Sequence, residues 1–298
     1  MLKMIDLTRA LQIWTRIGGV AECFFADRTI SRDEGLRAYR IASIGRICRI
    51  LSLVILASAP VAADDGLRIE TEVFVPEQVQ PISHNLTLVR SATVYDFLLN
   101  DPLEVAVFDR ERGQFSILQV KQKTKTTFNS QELLQRMDRM RVLARSSGPL
   151  VQFSAYPEFD YQFDDARSRM SFTSPLVKYV LDVMRPDNVD MVHRYRDFSD
   201  WYAMLNALRP GMRPPHARME VNKRLADEGS LPKQVQLELT VGQGPSAKTR
   251  SARSVHQYGW ELTAEDRARI DTADLQLQQF QAIGPEEYHR RLLVKSHN

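Results

Sequence analysis

The chain has 298 residues, 40 basic and 37 acidic, for a formal net charge of +3. Residues 1–63 hold nine of the basic residues, five of the acidic ones and both cysteines, Cys23 and Cys48, so the remaining 235 residues have a net charge of −1 and no thiol. That remainder excludes disulfides, thiolate zinc sites, iron–sulfur clusters and cysteine nucleophiles, and it has no overall surplus of positive charge for neutralising nucleic-acid phosphates.

In chain order, the first informative segment is the apolar run Ile50–Ala57. Arg46 and Arg49 precede it, and Ala59-Pro60-Val61-Ala62-Ala63 follows. A positive flank, an apolar stretch and small residues form the pattern of a secretory signal peptide. The expected signal covers residues 36–63, with cleavage after Ala63 and Val61 at position −3. As a helix the 14 residues from Ile50 to Ala63 rise about 21 Å, short of a ~30 Å hydrocarbon core. No permanent membrane span is therefore expected in the mature chain, and no cysteine follows the run to carry a lipid. Residues 1–35 include Asp27, Asp33 and Glu34, which do not suit the positive start of a signal. They read as a mis-assigned or disposable extension, with the true start near Leu36.

From Asp64 the pattern is that of a single domain over residues 64–285, strand-rich over 67–184 and helix-rich over 187–281, with 286–298 as a tail. Leu67–Val75 alternates, with Leu67, Ile69, Thr71, Val73 and Val75 on one side, which predicts a strand. Strands are also expected at Asn85–Val89, Thr93–Leu98, Glu104–Phe108 and Gln114–Val120. The last two flank Asp109-Arg-Glu-Arg-Gly113, a hairpin turn whose glycine takes the left-handed conformation. Lys121, Lys123 and Lys125 continue the alternation as a solvated strand face.

Asn129 caps a helix with Leu133, Leu134, Met137, Met140 and Leu143 at three-four spacing, stopped by Gly148-Pro149. Leu150–Phe153, Phe159–Phe163, Met170–Thr173 and Val177–Val183 read as strands. A helix spans Asp187–Leu208, and a second runs from Pro214-Pro215 to Glu228. Leu231–Val241 and Ser254–Leu262 form a last strand pair, and the sequence leaves open whether residues 231–281, the pair with the helix after it, form a separate subdomain. Thr263 and Asp266 cap a helix running through Phe280, and a short helix follows Pro285. Strands in runs joined by tight turns predict an α+β fold, a curved antiparallel sheet with helices packed on one face or end.

Four constellations bear on chemistry. Gly242-Gln-Gly-Pro-Ser-Ala-Lys248-Thr249 approaches a phosphate-binding loop, but Ala247 stands where the second glycine belongs and Pro245 removes a backbone donor. It reads as a flexible hairpin loop. Asp190, His193 and Asp197 fall along one helical stripe that continues to Asp200. Carboxylates beside an imidazole are divalent-metal ligands, and the competing reading is a solvated face paired with Arg194 and Arg196. Tyr195, Phe198, Trp201 and Tyr202 form an aromatic stripe, core by its helical spacing, with a ligand box or a partner face as the alternatives. Asp160, Asp164 and Asp165 lack the spacing of a calcium loop and fit a hairpin turn. No Gly-x-Ser-x-Gly and no His-Glu-x-x-His occurs, and no cofactor motif is present.

Tyr95-Asp-Phe97 with Val105-Ala-Val-Phe-Asp-Arg-Glu-Arg-Gly-Gln-Phe115, and Tyr195-Arg-Asp-Phe-Ser-Asp-Trp-Tyr-Ala-Met-Leu-Asn206, resemble an uncharacterised family of exported bacterial proteins. That family has no assigned activity and implies no site residues. The strand–hairpin–helix order of residues 67–146 is similar to the curved sheets of periplasmic lipoprotein carriers of the LolA type. These observations lead to an exported envelope protein, periplasmic or extracellular, that binds an apolar ligand or an envelope partner without catalysis. The alternatives are a metal-assisted envelope hydrolase built on Asp190, His193 and Asp197, and a structural subunit of an envelope complex.

Overall fold

The computed structural model describes residues 66–100, 104–209, 212–242 and 247–295, with side chains to residue 292. The expected signal segment and its cleavage point, the extension 1–35, and Cys23 and Cys48 lie outside the described residues.

Among the described residues twelve strands form one open sheet, and helices complete an α+β fold. The first six strands are a meander: β1 (Leu67–Phe74), β2 (Ser83–Arg90), β3 (Thr93–Leu98), β4 (Glu104–Asp109), β5 (Gln114–Gln119) and β6 (Thr124–Asn129). Tight turns set its register. Gly113 sits at φ +57° in the β4–β5 turn, the left-handed conformation the sequence assigns to it. Helices α1 (Ser130–Ala144) and α2 (Pro149–Ala155) follow. The chain then starts again at the opposite edge with β7 (Asp160–Asp164), β8 (Arg169–Thr173) and β9 (Val177–Met184).

Helices α3 (Val189–Ala207) and α4 (His216–Asp227) are inserted between β9 and β10 (Leu231–Val241). β11 (Lys248–Gly259), α5 (Ala264–Gln279), β12 (Gln281–Ala282) and α6 (Pro285–Lys295) end the described chain. The spatial order is β12-β6-β5-β4-β3-β2-β1-β11-β10-β9-β8-β7. Every neighbouring pair is antiparallel except β12 with β6. The late pair is therefore no separate subdomain. β11 lies against β1, opposing Ile69 to Tyr258 and Thr71 to His256, and β10 lies against β9.

The two sheet faces carry separate apolar clusters. On the first, Leu67, Ile69, Phe108, Phe115, Tyr179, Leu181 and Leu237 pack with Val192, Tyr195, Phe198, Tyr202 and Leu205 of α3 and with Val221 and Leu225 of α4. On the second, Leu86, Leu88, Tyr95, Val105, Val107 and Leu118 pack with Ile270 and Ala273 of α5. This corrects the expectation of helices on one face or end. The reason is in the strands: β2 and β4 are buried at four or more consecutive positions, so both of their faces need a cover.

Two local expectations also change. Leu150–Phe153 is helical, because Gly148 and Pro149 open α2 instead of closing α1. Lys121 and Lys123 lie in a turn, Lys123 at φ +52°, while Lys125 belongs to β6 and donates from Nζ to the Leu277 carbonyl at 2.6 Å. The short helix expected after Pro285 is α6, whose Tyr288 and Leu292 join the first cluster and whose Tyr288 meets Phe128 edge-on. No described helix is long and apolar enough to cross a membrane.

Candidate functional site

A cavity of about 140 Å³ lies between the first face of the sheet, α3, and the residues leading into α4. Its floor comes from inward positions of five strands: Ile69 and Thr71 of β1, Thr87 of β2, Tyr179 of β9, Leu237 and Leu239 of β10, and His256 of β11. Alternation along β1 and β11 points these side chains to the helical layer. The walls are Tyr195, Phe198 and Tyr202 of α3 and the segment Met212–Pro215, with Ala217 and Arg218 at the start of α4.

The aromatic stripe of α3 packs into the core, as its spacing predicts. Tyr195, Phe198 and Tyr202 belong to the core cluster and line the cavity. Trp201 turns away and packs on Phe108, ring centroids 5.7 Å apart.

The polar groups of the cavity fall into two sets. The first is satisfied by the protein itself. The His256 ring sits between Thr71 Oγ1, 3.1 Å from Nδ1, and Ser254 Oγ, 3.0 Å from Nε2. Burial, with the nearby Arg218 charge, pushes its pKa down to about 3. The Ser254–His256 distance is that of a nucleophile–base pair, but the other ring nitrogen meets a hydroxyl, not a carboxylate, and an imidazole held that low is too weak a base near neutral pH.

One layer out, Asp96 is 1% exposed. It accepts from Thr87 Oγ1 at 2.6 Å and Asn85 Nδ2 at 2.9 Å, and also bonds Tyr202. Ser83 Oγ extends the chain to Asn85 Oδ1 at 2.8 Å. Burial raises the Asp96 carboxyl to about 6 in spite of these donors. Asp96 therefore fixes two cavity-lining groups, Thr87 and Tyr202, from behind.

The second set has no such partners. Arg218 donates from Nη2 to the Tyr195 hydroxyl at a long 3.4 Å, and its buried Nη1 has no hydrogen-bond partner. Arg213, half-buried, has neither a hydrogen bond nor an ion pair among the described residues. Burial lowers its pKa, opposed by Tyr179, and raises the phenol of Tyr179. Guanidinium groups stay protonated in proteins, so two cations face a largely apolar cavity without a carboxylate in ion-pairing reach. Asp200 feels the Arg218 charge but is held by Asn222 Nδ2 at 2.7 Å and Arg196 Nε at 3.6 Å; burial raises it to about 6.

The acidic stripe of α3 does not converge. Asp190 pairs with Arg194 at 2.7 Å, Asp197 pairs with Arg110 at 2.6 Å, and His193 is exposed. Among the described residues no group of three His, Cys, Asp or Glu side chains gathers in a metal-binding arrangement. Asp164 accepts from the Arg167 backbone N–H at 3.1 Å and shapes the β7–β8 turn, while Asp165 pairs with Arg185. Residues 243–246 of the phosphate-loop-like stretch lie outside the described residues, and the next element along the chain is strand β11, not a helix.

A wider groove of about 460 Å³ beside the α3–α4 seam is lined mainly by charged side chains of both signs, including Arg141, Glu158, Arg196, Asp200 and Lys223. It lacks the enclosed apolar wall of the first cavity.

Sequence reasoning reached the α3 aromatics and missed Arg213, Arg218, Tyr179 and His256. One signal was present. Thr71, Ser254 and His256 occupy inward positions of alternating strands, where apolar residues belong, and polar groups there mark a lined cavity or a buried network. Comparison of the chain with protein-family models and with curated proteins returns no match.

Proposed function

We propose that the protein is an exported, non-catalytic binding protein whose cavity between α3, α4 and the first sheet face takes one small ligand with an apolar body. The cavity itself carries this reading. An apolar protein cavity of about 150 Å³ admits benzene, whereas drug-sized sites run to roughly 300 Å³ and above, so 140 Å³ suits a single ring or a branched chain of similar bulk. The absence of catalysis is argued from His256, the one imidazole lining the cavity among the described residues, which burial keeps neutral, and from Asp96, whose oxygens are occupied by Thr87 and Asn85.

Export rests on the apolar run at Ile50–Ala57 and its flanks. The reading also takes the sheet to be curved around the α3–α4 layer, since a sheet of this many strands coils through its own twist. A curved sheet would hold the cavity walls at a fixed spacing.

The purified protein is expected to bind small aromatic probes such as benzyl alcohol, and Ala203→Phe, which fills the cavity from α3, should weaken that binding by about tenfold or more. Calorimetric titration measures both. Unchanged binding in a folded Ala203→Phe variant would put the probe elsewhere and remove the reading.

A further inference from the structure

We propose that the occupant of this cavity is a small monocarboxylate with an aryl or branched-alkyl body, its carboxylate held between Arg213 and Arg218; this rests on reading the cavity as a ligand site. A buried cation is costly unless it is paired and hydrogen-bonded, and proteins ordinarily supply the pair from within. Elsewhere this chain does so: Arg209, 4% exposed on its side chain, meets Glu104 at 2.9 Å. Arg213 and Arg218 are different. Both line the same cavity, and neither has a carboxylate within ion-pairing distance among the described residues.

The surroundings favour a carboxylate over other guests. Guanidinium groups bind carboxylates through two parallel N–H donors. The Tyr195 hydroxyl, 3.4 Å from Arg218 Nη2, stands beside the position an oxygen would take. The N-cap of α4 is Pro215, which has no side-chain acceptor, so the positive end of that helix adds to the field at the same wall. Facing these donors are Ile69, Phe198, Leu237 and Leu239, a wall that a bare inorganic anion would leave unfilled and that a ring or branched chain would cover. The other titratable groups near Arg218 do not compete for it. His256 is neutral, Tyr258 donates to the Pro232 carbonyl at 2.7 Å, and Asp200 is bonded to Asn222.

The test is a calorimetric titration of the full protein near pH 7 with two probes of matched shape, benzoate and benzyl alcohol, repeated with Arg218→Met and Arg213→Met. Benzoate should bind the wild-type protein about tenfold or more tightly than benzyl alcohol, and each variant should lower benzoate affinity about tenfold while leaving benzyl alcohol within about threefold. The wild-type ratio of the two probes needs no variant, so a variant that fails to fold does not spare the proposal. Benzyl alcohol binding as tightly as benzoate would leave the cavity reading in place and overturn the carboxylate assignment. Binding of neither probe would overturn both. Benzoate binding untouched by either folded variant would also overturn the assignment to these arginines.

Discussion

The two faces of the sheet each hold an arginine beside a tyrosine, and they differ in what answers the charge. On the face covered by α5, Arg90 meets Asp271 at 2.8 Å and Asp274 at 2.6 Å, and Tyr95 donates to Asp274 at 2.7 Å. The cluster is closed, and it ties α5 to β2 and β3. On the face covered by α3 and α4, Arg213 and Arg218 lie beside Tyr179 and Tyr195 with no carboxylate in reach, and a cavity opens where one would stand. The same residue types therefore do two jobs. Where the chain supplies the acid, the cluster is a fastening. Where it does not, the cluster waits for an anion from outside.

This contrast is sharpened first by pH. Burial depresses His256 from its ordinary 6.5 to about 3, so between those values the unfolded chain binds a proton that the folded one refuses. Its contribution is fully present above pH 6.5 and is lost as pH falls toward 3, a loss of roughly 3–5 kcal/mol by linkage. Asp96 and Asp200, raised from 3.8 to about 6, act with the opposite sign: their contribution is present below pH 3.8 and lost as pH rises through 6. The windows overlap, so the wild-type curve is a compromise. Replacing His256 with glutamine removes one side of it. Urea denaturation from pH 3.5 to 7 should show the variant losing distinctly less stability on acidification than the wild type, and parallel curves would mean that His256 titrates normally.

The α5 face gives the next largest effect. Asp274→Ala leaves the buried Tyr95 hydroxyl without its acceptor and Arg90 with one partner in place of two. A cost of about 1–3 kcal/mol is expected, chiefly from the tyrosine, because the arginine pairs are partly exposed and screened. Chemical denaturation measures it, and benzoate affinity should not change. A loss of affinity there would show that the two faces are coupled and that the contrast between them is too simple.

Much of the fold was legible in the sequence because its signals are local. Alternation from Leu67 to Val75 places Ile69 and Thr71 on the inward face of β1, where the structure has them. Gly113 and the Thr263–Asp266 capping box are where their turn and helix require them. The failures share a cause too. Leu150–Phe153 is a short apolar run, for which periodicity does not separate strand from helix, and the Pro149 that looked like a stop is a first-turn residue of α2. Helices on both faces follow from strand pairing across the whole sheet, which no local window contains.

The site was half legible for the same reason. Tyr195, Phe198 and Tyr202 share a helix and announce themselves by spacing. Arg213, Tyr179 and His256 come from three distant segments, joined only when β11 pairs with β10 and β10 with β9. What distinguishes Arg218 from Arg90, Arg110 and Arg209 is a missing carboxylate, and a sequence does not display that.

The most direct test of the open cluster observes the two guanidinium groups themselves. Benzoate should be titrated into isotopically labelled protein while the arginine side-chain N–H resonances are followed. The signals of Arg213 and Arg218 are expected to shift together and saturate with a single affinity, while those of Arg90 stay in place. Saturable benzoate binding with both signals unmoved would contradict the assignment of the anion to these two arginines.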